Sequence, residues 1–107
     1  MVNRKEQFER VNEIITRYHL YLDYLGSKNN FILAMNDKED KDEIIKYVAS
    51  VYRSYNSLSK EEKETITNEF FISTDPDWWR NKYNEAHFKL VLFSGINNFL
   101  KGFENAI

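Results

Sequence analysis

The chain has 107 residues, 42% hydrophobic and 16% aromatic, enough to bury one core, so a single domain over residues 1–107 is expected. Its 15 basic and 17 acidic side chains leave a formal charge of −2, which gives no electrostatic footprint for nucleic acid and no polybasic membrane anchor. Cysteine is absent, which excludes disulfides and thiolate metal sites, and no apolar leader or membrane-length apolar run is visible, so a cytoplasmic protein without a membrane partner is expected.

Three Gly and one Pro favour a few long helices over many short strands. The spacing predicts a first helix over about Arg4 to Leu25, with Phe8, Val11, Ile15, Tyr18, Leu22 and Leu25 on one stripe and Gly26 closing it in the left-handed conformation. Glu6, Arg10, Glu13 and Arg17 fall between the stripe positions as a solvated face. The stripe packs on the chain's own core or forms a coiled-coil seam, and a homodimer through this helix stays open.

Residues 27–40 carry no decisive signal. Phe31 to Met35 read as a helical turn or as a plug under a loop. The mixed charges from Asn36 to Glu43 read as a solvated loop feeding a helix N-terminus. A calcium loop there is rejected, because it would need a central Gly and a terminal Glu in register.

A second helix is predicted over about Lys41 to Asn56, burying Ile44, Ile45, Val48, Val51, Tyr52 and Tyr55. Ser59 with Glu62 forms a capping box that opens a third helix, whose buried face is Ile66, Phe70 and Phe71. Asp75-Pro76 signals a short fourth helix, Pro76 to about Tyr83, carrying Trp78 and Trp79. Asn84 caps a fifth, from Glu85 to about Phe103. The fold class is therefore all-α: five helices in one domain, the long N-terminal pair packed on a helix-turn-helix-like unit over residues 59–103.

Catalytic chemistry has no foothold. His19 and His87 are the only histidines, and neither sits in a metal-ligand spacing; His19 reads as a partly buried structural residue. There is no Gly-rich phosphate loop, nucleophile elbow or Cys nucleophile, and Glu61-Glu62 fit the first turn of a helix without a catalytic role. No enzyme, metal or cofactor is expected. Trp78 and Trp79 read as two core anchors or as an aromatic platform for a partner or a base. The tyrosines at 18, 21, 24, 47, 52 and 55 read as core-edge residues that can also line an interface.

From Ser59 to Leu100 the order is a capped helix ending in Phe70-Phe71, a Trp78-Trp79 segment, Lys82-Tyr83-Asn84 followed by Phe88, then Ile96, Phe99 and Leu100. This resembles the C-terminal region of phage late-transcription regulators of the ArpU and RinA kind, and small uncharacterised helical proteins of mycoplasmas and other low-GC bacteria. In the regulators that region is similar to the DNA-binding part of sigma factors. The resemblance implies that Asn84, Glu85, His87, Phe88 and Lys89 open a recognition helix. The pattern departs from the family in having Asn84 rather than Ser at the cap and only Lys89 as a base in the first two turns. Leu90-Val91-Leu92-Phe93 is apolar nearly all round, as in a buried helix.

Two functions follow. In the first, a small phage-type or bacterial transcription regulator contacts double-stranded DNA or the transcription machinery through Arg80, Lys82, Asn84, Glu85, His87 and Lys89, with Lys101 completing a positive groove. In the second, the chain is a non-enzymatic protein-interaction module, an oligomer or an inhibitor of a larger partner, with an exposed aromatic patch.

Overall fold

The computed structural model describes residues 4–26, 38–72 and 74–106. Among them the fold is all-helical, with four α-helices and no strand: α1 Arg4–Gly26, α2 Lys38–Asn56, α3 Lys60–Ile66 and α4 Glu85–Ala106. α3 runs straight into a wider π-helical segment, Thr67–Ile72. α4 is the organising element and packs against α1, α2 and α3. No described helix is long and apolar enough to cross a membrane.

The core is built from inward stripes of all four helices. Val11, Ile14 and Ile15 of α1, Val51 of α2, Ile66 of α3 and Ile96, Phe99 and Phe103 of α4 form one cluster, extended by Phe70 and Phe88. The α1 stripe is thus used in the chain's own interior, with Ile14 added to it, while Phe8 and Leu22 stay partly exposed. Phe8 still meets Phe70 at a tilt, its centroid 4.8 Å away. Gly26 belongs to the last turn of α1 and does not adopt a left-handed conformation. The reading of Phe31 to Met35 falls outside the described residues, and α2 begins at Lys38, three residues earlier than its apolar pattern suggests.

α2 approaches α4 through small residues. Ser54 is buried and its hydroxyl donates to the Phe99 carbonyl, and a Cβ on Gly102 would lie 3.0 Å from that hydroxyl oxygen. The buried face of α2 is therefore Ile44, Ser50, Val51 and Ser54 with half-buried Tyr47, whose hydroxyl donates to the Ile14 carbonyl. Burial raises the Tyr47 pKa, against the lowering effect of Arg17 and Arg10. Ile45 and Tyr52, expected inside, are exposed, because the close serine crossing rotates that side of α2 away from α4.

The two helix starts at Ser59 and Asn84 are as expected. The Ser59 hydroxyl accepts from the Glu62 amide at 3.2 Å, while the Ser59 amide donates to the Glu62 carboxylate at 2.9 Å. The Asn84 side chain accepts from the His87 amide at 2.8 Å and caps α4. Glu62 also ties α3 to α4: its second oxygen accepts from Ser94 and Asn98 at 2.6 and 2.8 Å. Burial alone would raise its pKa, but these hydrogen bonds prevail and hold it below the ordinary carboxylate range.

The helix expected over Pro76 to Tyr83 is corrected to a run of turns. Asp75 accepts from the Asp77 amide through its side chain at 2.9 Å, and three-residue bonds link Arg80 to Asp77 and Lys82 to Trp79. An aspartate before proline starts an Asx turn as readily as a helix. Tertiary stacking decides here, because Trp78 and Trp79 both reach Phe88, with centroids 5.9 and 4.5 Å from its ring.

Candidate functional site

Each cationic residue expected to face DNA near the start of α4 already has a carboxylate. The Arg80 Nε donates to Asp77 at 2.8 Å, and the Lys82 Nζ donates to Glu64 at 3.1 Å. His87 lies 3.5 Å from Glu61, and Lys89 lies 3.1 Å from Glu85 one turn before it. Asn84 spends its side chain on the helix cap. The set is brought together around one helix start and its preceding turns, but as a mosaic of exposed pairs rather than a row of bare cations. Lys101 lies in the penultimate turn of α4, beside Glu104 in a polar crease shared with Glu6 and Arg10 of α1, well along the helix from Lys89.

The tryptophans are anchors. Trp79 stacks face to face on Phe88, with 7° between the rings, and the Arg80 guanidinium lies 5.5 Å from its centroid. The Trp78 indole donates to Glu69 at 2.9 Å and meets Tyr83 and Phe88 edge-on. Both rings are half-buried, so little of either is left to stack on a base. Tyr83 donates to Glu64 at 3.2 Å, and burial together with that carboxylate raises its pKa. Leu90, in the run that reads as a buried helix, is exposed at the rim of a crease between α3 and α4.

The open aromatic surface lies elsewhere. A groove of about 300 Å³ runs between α1, α2 and the π-helical segment, with Val51 lining it beside Tyr18, Tyr52, Tyr55 and Phe71. Asn56 and Thr67 supply its polar edge. Phe71 is the hub: Tyr18, Tyr55 and exposed His19 meet it edge-on, with centroids 5.5 to 5.8 Å apart. The Tyr55 hydroxyl is hydrogen-bonded to Thr67 at 2.6 Å. Tyr52 is 62% exposed at the rim.

The groove opens where the helix geometry changes after Ile66. The capping box starts α3 rigidly, but after Ile66 the backbone widens into π geometry, which is found often at functional sites. The widening separates two adjacent phenylalanines. Phe70 is buried in the core against Phe8, while Phe71 is only half-buried and turns to Tyr18 and Tyr55. The sequence pattern assigns both rings to the core and Tyr52 to the buried face, so it misses the groove. The available signal is the density of tyrosines at 18, 52 and 55, residues suited to surfaces that are apolar in body and wet at the tip.

The groove edge is cationic. The Lys63 ammonium lies 5.9 Å from the centroid of the Tyr55 ring, and Lys60 precedes it by one turn on the side of α3 that leads to Thr67. Among the described residues neither of these lysines has a carboxylate partner. No group of His, Cys, Asp and Glu that could hold a metal ion occurs among the described residues. Comparison with protein-family models, curated proteins and solved structures finds no match to this chain.

Proposed function

We propose that this chain is a non-enzymatic protein-interaction module that docks a partner in the aromatic groove between α1, α2 and the π-helical segment. The observation that carries the reading is the open cluster of Tyr18, Tyr52, Tyr55 and Phe71, with Tyr52 standing mostly in solvent. Aromatic side chains that keep apolar area accessible while their hydroxyls stay wet are the residues enriched at protein interfaces. The exposed pairs around the start of α4 lend weight in the same direction, since a phosphate must compete there with Asp77, Glu64, Glu61 and Glu85.

The other reading is a phage-type or bacterial transcription regulator with a helix-turn-helix-like unit over residues 59–103. What favours it is the Asn84-capped start of α4, with Glu85, His87 and Lys89 all exposed on its first two turns.

Two titrations separate the readings. Random duplex DNA followed by fluorescence anisotropy should show no binding at about 50 mM salt; micromolar affinity that collapses by about 200 mM would favour the regulator. In parallel, immobilised wild-type chain should enrich members of a random displayed-peptide library that the Tyr52→Asp variant does not retain. Equal recovery on both proteins would remove the groove as the docking site.

A further inference from the structure

We infer that the occupant of the groove is an acidic amphipathic segment of a protein partner, with one aromatic or branched aliphatic side chain against Phe71 and carboxylates reaching Lys63 and, one turn before it, Lys60. This rests on the groove being the docking site and names the chemistry of what docks.

Four carboxylates occur between residues 61 and 69, and all four are engaged by the C-terminal part of the chain or by the capping box. Glu61 faces His87, and Glu62 accepts from Ser59, Ser94 and Asn98. Glu64 accepts from Lys82 and Tyr83, and Glu69 accepts from the Trp78 indole. The two lysines of the same helix are left without a carboxylate, and one of them lies over a groove tyrosine. Along α3, negative charge is thus consumed by the chain itself, and positive charge is left at the edge of its open apolar surface.

That arrangement selects a partner by charge and holds it by apolar contact. A groove of about 300 Å³ has room for one large side chain rather than a row of them. Edge cations in water contribute little affinity each, but together they favour a segment carrying Asp or Glu over one carrying Lys or Arg by about tenfold. A nucleic acid fits less well, because a lysine over one tyrosine ring does not make a cationic track for a phosphate backbone.

The test uses the full chain and a random displayed library of peptides about twelve residues long, enough for three helical turns. Wild-type protein should enrich peptides with an aromatic or leucine anchor flanked by Asp or Glu. A chosen peptide should bind the Lys60→Glu/Lys63→Glu protein about tenfold more weakly at low salt, the difference shrinking as salt rises. Peptides that depend on Tyr52 but show no excess of acid, or an excess of Lys and Arg, would overturn the acidic partner and leave the groove standing. No enrichment above the Tyr52→Asp protein would overturn both. If charge reversal lowers the melting midpoint, Lys60→Gln with Lys63→Gln reads the same preference without the added acids.

Discussion

The start of α4 and the groove between α1 and α2 are both rich in aromatics, yet they handle rings and charges in opposite ways. Around α4 the rings close on one another: Trp79 lies flat on Phe88, Trp78 and Tyr83 meet edge-on, and the polar tips of Trp78 and Tyr83 donate to Glu69 and Glu64. Every nearby cation is matched by an acid. In the groove the rings touch only at their edges, Tyr52 is left mostly in water, and Lys63 has a ring but no carboxylate. Stacked and satisfied aromatics hold a fold together; open ones with unpaired charge beside them are available to something else.

The largest expected effect breaks the closed side. Phe88→Ala removes a buried ring that both tryptophans rest on, and should cost about 3–5 kcal/mol in chemical denaturation. Trp79→Ala removes the stacked partner of that ring and should cost roughly the same, at the lower end because Trp79 is half-buried. Wild-type stability in either variant would mean that the clamp is not packed and that the contrast with the groove is wrong.

Next come the two glycines of α4, which face different neighbours. A Cβ on Gly102 would meet the Ser54 hydroxyl at 3.0 Å and the Ser54 Cα at 3.4 Å, and that hydroxyl is already bound to the Phe99 carbonyl. Gly102→Ala should therefore destabilise by about 1–3 kcal/mol despite the better helix former. At Gly95 the nearest atoms are side-chain carbons of Ile66 and Glu62 at 3.4–3.5 Å, an ordinary contact distance. Gly95→Ala should be neutral or stabilise by up to about 1 kcal/mol. Thermal melts that moved in the same direction would place the close helix crossing elsewhere.

These elements were unequally legible in the sequence. Ser59 and Asn84 were readable because capping is settled within four residues of chain. The same local chemistry misleads at Asp75-Pro76, where the turn run is set by rings closing on Phe88, a contact with a residue of another helix. Large apolar side chains reveal a stripe, but the α2–α4 crossing is made by Ser54 and Gly102, which carry no hydropathy signal. Ile45 and Tyr52 were consequently assigned to the wrong face. The groove itself depends on a π-helical widening after Ile66, and no spacing rule anticipates it. The paired state of Arg80, Lys82 and Lys89 was half legible, since only the Lys89–Glu85 pair is visible as a four-residue spacing.

Glu62 offers a pH-resolved test of the closed side. Its carboxylate accepts from three donors, the Ser59 amide, the Ser94 hydroxyl and the Asn98 side-chain amide, and its folded pKa lies below the unfolded value. The stability it contributes is full above the ordinary carboxylate pKa and is lost as pH falls through the lowered one. Glu62→Gln places an amide N–H₂ among groups that all donate, and should cost about 1–3 kcal/mol at neutral pH. The penalty should shrink on acidification, so the two denaturation curves converge at low pH. Parallel curves would mean that Glu62 is not the acid-sensitive link between α3 and α4.

The smallest effects on stability come from surface positions, and there the two regions separate by function alone. Tyr52→Ala, and separately His87→Ala combined with Lys89→Ala, should each leave the unfolding free energy within about 0.5 kcal/mol, because all three side chains stand in solvent. The exposed His87–Glu61 and Lys89–Glu85 pairs add little to that. If the groove is the working surface, Tyr52→Ala removes peptide binding while the α4 pair leaves it intact. If α4 reads DNA, the pattern inverts, and the double variant loses duplex binding that Tyr52→Ala keeps. Because neither change disturbs the fold, any loss of binding reports the surface itself.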